Sequence, residues 1–230
     1  MTGSSVLGFV FSEIIRLLQL FRRGRPVHPV GLGMIGILAR DPPTQALSGI
    51  AWIDEPGEDQ VVARVSRGLG LPPALPDIVG LALRVEQQSG SFDILLASTG
   101  SSRPGRFLVT LHRQASKSML GSLMPYKGSL GPILLGARTV APLTLPARLD
   151  RLQEALTGET WRLALFWARP SGSWNRFGSL HLRLDLEEGD TAIRFDPIEN
   201  PPRGAQTYQW AGNLRRRAYR LARRRPVARR

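Results

Sequence analysis

The sequence predicts an α+β architecture: an antiparallel β-barrel, closed or nearly closed, with flanking N- and C-terminal helices. Three observations carry this expectation. From Val30 to about Glu188 the chain is a succession of short β-like runs bounded by Gly, Pro, Asp and Ser. Few helical stretches lie between them, whereas a doubly wound parallel sheet needs one at almost every crossover. The two ends differ from the middle: the first is apolar and helical in pattern, the last is helical and rich in arginine.

The opening "SSVLGFVFSEIIRLLQLFRRGRP" reads as a helix that starts at a serine cap near Ser4 or Ser5 and stops at the basic cluster before Pro26. Glu13, Arg16 and Gln19 interrupt it too early for a membrane span of about 20 residues, and its charges are in the wrong order for a signal peptide. Residues 1–24 are expected to form a packing arm, the alternative being a helix lying in a membrane interface. Strands are expected at 30–40, 46–54, 60–66, 79–87, 92–99, 106–113, 132–139, 161–168 and 178–187, where β-branched and apolar residues run between turn formers. "RPSGSWNRFG" at 169–178 is the loop of a hairpin. Residues 114–124 are expected as a short helix between strands, and "LPARLDRLQEAL" at 145–156 contains a second helix. No fixed repeat and no long linker interrupts the chain. The expected organisation is an arm at 1–24, a barrel domain at 25–212 and a basic helix at 213–230.

At 230 residues, 42% hydrophobic and 21% charged, the chain can bury the core of one domain. It has no cysteine, which excludes disulfides, thiolate metal sites and cysteine nucleophiles and is compatible with the cytoplasm. Three scattered histidines do not make a zinc finger. The net charge of +13 points to anionic partners, but much of the excess sits in the tail "NLRRRAYRLARRRPVARR". "GLGMIG" at 31–36 is a poor dinucleotide fingerprint and reads as strand glycine. No P-loop, nucleophile elbow or zinc-protease helix is present. Asp54 with Glu55, and Glu187 with Glu188, are adjacent residues that point to opposite faces of a strand, so neither is an acid/base pair.

Three segments belong together: "RPVHPVG" at 25–31, "VVARVSRG" at 61–68, and "PDIVGLALRVEQQSGSFDILLASTG" at 76–100. Their order resembles the haem-site half of catalases, in which a distal His is followed by an Arg-x-Ser strand, an Asp-x-x-Gly strand and a Trp/Phe-Asp strand. "RFDPIEN" and "NLRRRAYRLARRR" are similar to the closing part of short catalase-like proteins, where an Arg-x-x-x-Tyr helix supplies the proximal ligand. The middle of the chain, roughly 101–190, matches only in strand pattern. The resemblance implies that His28 is the distal histidine and Ser66 its hydrogen-bonding partner. It implies that Arg25 and Arg64 meet the propionates of haem b, and that Arg215 and Tyr219 form the proximal pair with Tyr219 on the metal. At the place of the catalase distal asparagine stands Ala97, and Pro226 replaces a second arginine after the tyrosine.

The chemistry agrees with these residue types. An iron-bound tyrosine must be a phenolate, and a phenol of ordinary pKa near 10 is protonated at neutral pH. Arg215 lies four positions from Tyr219, on the same helix face, and its charge favours the anion. On the other side a neutral His28 can carry a proton from one peroxide oxygen to the other, its ring oriented by Ser66. His112 and His181 fall in strand-like stretches and read as structural.

The expected function is a haem-dependent peroxidase or catalase-like oxidoreductase acting on hydrogen peroxide or organic hydroperoxides. The alternative is a degenerate catalase-fold protein, haem-binding or non-catalytic, that docks on a membrane or polyanion through its basic tail. The expected partners are the peroxide substrate, a second copy of the chain meeting through the N-terminal arm as in catalases, and a peripheral membrane contact. The expected location is the cytoplasm, with membrane association through arm or tail. The arginine run would bind nucleic acid in a salt-dependent way, but no recognition helix is present and sequence-specific binding is not expected.

Overall fold

The computed structural model describes residues 31–43, 46–88, 90–187, 189–191 and 193–210. The proposed arm at 1–24 and the basic helix at 213–230 lie outside the described residues.

Among the described residues there are ten strands: β1 (Gly31–Arg40), β2 (Gly57–Arg67), β3 (Val79–Gln87), β4 (Gly90–Thr99), β5 (Met119–Gly121), β6 (Tyr126–Gly128), β7 (Gly131–Ala141), β8 (Trp161–Ala168), β9 (Asn175–Leu184) and β10 (Gln206–Thr207). Eight of them close a ring in the order β1-β2-β3-β4-β5-β7-β8-β9 and back to β1, with every pairing antiparallel. Strands β6 and β10 extend from the side of β7 as a small flap. The closed antiparallel barrel expected from the sequence is therefore present, and closure removes the sheet edges that would otherwise pair with other chains.

The period of two decides which residues enter the core. Val61, Ala63 and Val65 on β2, Leu81, Leu83 and Val85 on β3, and Phe92, Ile94 and Leu96 on β4 fill the barrel. Arg64 and Ser66, one step out of phase, consequently face outward. One end of the barrel is plugged by Trp52, whose indole N–H donates to Asp59 Oδ2 at 2.9 Å and whose ring packs edge-on against Phe92 and Phe177. Arg40 pairs with Asp59 at 3.2 Å, both side chains buried, and donates to the Trp52 carbonyl at 2.7 Å.

Three expectations need correction. Residues 46–54 are not a strand but a turn leading into a single helical turn, Ala51–Asp54. The Asp54 carboxylate accepts the amides of Ser48 and Gly49, both at 2.8 Å, and Gly49 has a φ of 84°, so local hydrogen bonds bend the chain. Residues 106–113 form no continuous strand: a 3-10 turn at Gly105–Phe107 is followed by single bridges from Val109 to Thr99 and from His112 to Asp77. The helix expected at 114–124 is a 3-10 turn, Ala115–Lys117, running into β5, because the Ser116 and Ser118 hydroxyls donate to backbone carbonyls in place of helical amides. The helix within 145–156 is present as Leu149–Leu156, with Leu152 and Leu156 buried, and the 169–174 loop joins β8 to β9 as an antiparallel hairpin. No helix among the described residues is long and apolar enough to cross a membrane.

Candidate functional site

The register of the barrel brings together what the sequence kept apart. Gly31 on β1 lies opposite Ser66 on β2, Ser66 opposite Gly80 on β3, Gly80 opposite Ala97 on β4, and Ala97 opposite Gly121 on β5. Gly121 in turn faces Gly136 on β7. A single row on the outer face of the barrel thus carries nothing larger than a serine hydroxymethyl across six neighbouring strands. The row ends where the Met119 methyl and the Trp174 indole lie against Gly136: a Cβ there would come within 2.5 Å of the first and 2.9 Å of the second. Side chains lie over both ends of the row, Arg64 over Gly31 and Thr99 over Gly121, so the shelf on which a flat group can approach the backbone is confined to its centre, Ser66, Gly80 and Ala97. Sequence reading singled out Ser66 and Ala97 but missed the row, because its members become neighbours only through the ladder.

Ser66 is buried although it points outward. Arg64, two positions earlier on the same face, donates from Nε to Asp190 Oδ1 at 2.7 Å and from Nη2 to Oδ2 at 2.9 Å. Asp190 Oδ2 also accepts the Gly31 amide at 3.1 Å. Above all the hydrogen bond from Arg64 holds the Asp190 carboxyl below the usual carboxylate range, against a smaller opposing effect of burial. A carboxylate thus already sits on the fork of the arginine expected to meet a propionate. Glycine is needed at position 31, since a Cβ there would lie 2.5 Å from the Arg64 guanidinium carbon. His28, Arg25, Arg215 and Tyr219 lie outside the described residues.

The aspartates of the two remaining motifs have clear tasks. Asp77 of "PDIVG" is fully buried and accepts the amides of Leu69, Leu71 and Ile78, with Arg67 at 3.4 Å, which ties down the loop between β2 and β3. Asp93 of "SFDIL", also fully buried, takes a two-point contact from Arg84, both bonds at 2.8 Å, and the Asp196 amide at 2.6 Å. It therefore anchors the "RFDPIEN" segment on the barrel, with the Arg84 guanidinium 5.9 Å from the Phe195 ring centre.

Among the described residues, other titratable groups do not form a second centre. Burial, assisted by the charge of Asp93, pushes the Tyr126 phenol well above its ordinary pKa, so it is no source of phenolate. Burial lowers the His112 pKa, and its ring lies 2.8 Å from Thr110 Oγ1, while His181 is exposed on β9 opposite Ile37 and Arg162. A cleft at the plugged end, lined by Asp41, Ile53, Asp54, Trp167, Trp174 and Phe177, holds 180 Å³. Ligand pockets run to roughly 300–1,000 Å³, so this cleft is too small for a macrocycle.

Among solved structures the chain is similar to a bacterial catalase, with a TM-score of 0.56 and 14% sequence identity over 95% of this chain. It spans 63% of the length of that catalase. No protein-family model matches the chain, and no curated protein matches it. The likeness establishes the fold: the barrel is catalase-like.

Proposed function

We propose that the protein is a small catalase-like haem protein that acts as a peroxidase on hydrogen peroxide or organic hydroperoxides. The observation that carries this reading is the run of small residues Ser66–Gly80–Ala97 on a catalase-like barrel, with Arg64 on the same face. A flat cofactor needs a wall without protruding side chains, and its carboxylates need a cation at the edge. Haem b, when bound, supplies a redox-active iron able to accept oxygen from a peroxide.

The chain's own residues do the rest. Tyr219 is the metal ligand, and Arg215, one helical turn away, favours its phenolate. Arg25 and Arg64 neutralise the propionates, Asp190 fixing the orientation of the Arg64 fork. His28 takes the proton from one peroxide oxygen and delivers it to the other, and Ser66 holds the imidazole in the orientation this needs.

The full chain, produced with haem supplied, is expected to show a ferric Soret band that Tyr219→Phe weakens or abolishes. His28→Ala is expected to retain haem and lose peroxide turnover. A wild-type protein that stays colourless under these conditions would overturn the proposal.

Two observations favour the second reading, a catalase-fold protein without catalysis: Asp190 already engages Arg64, and Ala97 offers no side-chain hydrogen bond. On that reading His28→Ala leaves function untouched, and removal of the basic tail abolishes binding to a polyanion or membrane.

A further inference from the structure

Residues 94–149 contain seven Lys and Arg and no Asp or Glu. This acid-free stretch supplies two of three adjoining loops at one end of the barrel, the end at which the segment 185–191 also leaves β9. Because neighbouring strands are antiparallel, the loops β2–β3, β4–β5 and the segment after β7 emerge at the same end. They are joined there by bridges from Asp77 to His112 and from Gln114 to Pro146.

Their exposed residues have a consistent character. Leu69 and Leu75 on the first loop, Leu108 and Leu111 on the second, and Leu143 on the third are between 46% and 66% exposed. Arg103, Arg113 and Lys117 are exposed among them. The only carboxylate on these loops before Asp150, that of Asp77, is fully buried and engaged by three amides. An apolar patch rimmed by exposed cations is what an anionic bilayer surface accepts: leucines enter the acyl boundary while guanidinium and ammonium groups meet headgroup phosphates. Nucleic acid would use the cations alone and leave five leucines in water.

We infer that this end of the barrel docks on an anionic lipid surface, independently of the haem reading and of the basic tail. The absence of native cysteine makes a site-specific test direct. In the full chain, Leu111→Cys carrying an environment-sensitive dye is compared with Glu58→Cys, labelled at the start of β2 at the opposite end. Vesicles of phosphatidylcholine with phosphatidylserine should blue-shift the dye at 111 and not at 58, and pure phosphatidylcholine should do so far less. The triple variant Leu75→Ser, Leu108→Ser, Leu111→Ser should bind the mixed vesicles about tenfold or more weakly, with its melting curve unchanged. An unshifted dye at 111, an equal shift on soluble duplex DNA, or full vesicle binding by the folded triple variant overturns the inference. If the triple variant does not fold, the two labelled positions decide alone.

Discussion

Arg64 grips Asp190 by two parallel hydrogen bonds across 126 positions of sequence, and that carboxylate also receives the amide of Gly31. One side chain thereby clamps the start of β1 to the end of β2 and to the segment that follows β9. The bond from Arg64 is the main reason that the Asp190 carboxyl titrates below the ordinary carboxylate range.

Asp190→Asn should therefore be less stable at neutral pH. The pair is partly open to solvent, so screening limits the effect to about 0.5–1 kcal/mol. The folded pKa is depressed, so the wild-type advantage is complete above the unfolded value of about 3.9 and is lost as pH falls through the folded value. Urea titrations of both proteins at a series of pH values should show the gap closing only in that acid range. A gap independent of pH would remove the ion pair as its cause.

A larger loss is expected at Asp93. Its carboxylate is fully buried and receives Arg84 twice and the Asp196 amide, so Asp93→Ala leaves the guanidinium without its carboxylate, with the Arg194 carbonyl as its remaining acceptor, and takes the acceptor from the Asp196 amide. The expected loss is about 3–5 kcal/mol. Arg84→Met with Asp93→Ala should lose less than the sum of the single variants, measurable by a double-mutant cycle in urea.

Trp52 offers a cleaner separation of polar and packing contributions. Trp52→Phe removes the donor to Asp59, which keeps Arg40 and Gln87 as partners, so about 1 kcal/mol should be lost. Trp52→Ala removes the plug itself and should lose about 3–5 kcal/mol. Comparable losses from the two substitutions would mean that the indole hydrogen bond, not the packing, closes this end.

How much of this was legible in the sequence depended on the range of the interaction. β2, β3, β4, β8 and β9 were readable because Val61 to Val65, Leu81 to Val85 and their counterparts alternate at a period of two. Residues 46–54 show a similarly apolar run, but the capture of two amides by Asp54 is local chemistry that periodicity does not register. Ser66 could be picked out by its motif. The glycines opposite and beside it could not, since Gly31, Gly80 and Gly121 become neighbours only once the barrel closes. Asp190 carried no signal at all, being one aspartate in a Gly-Asp-Thr loop whose partner lies half the chain away.

Ala97 gives the sharpest test of the shelf as a reaction surface. It lies on the outer face between Gly80 and Gly121, so an asparagine side chain there points away from the core. If haem lies over this row, Ala97→Asn places a hydrogen-bond donor beside the peroxide, at the place where catalases carry one. A hydrogen bond of about 1.4 kcal/mol made in the transition state raises the rate about tenfold. Haem content, read from the Soret band, should stay constant while oxygen release from hydrogen peroxide increases. An unchanged rate in the fully haem-loaded variant would separate Ala97 from the reacting atoms and leave the shelf as a binding wall alone.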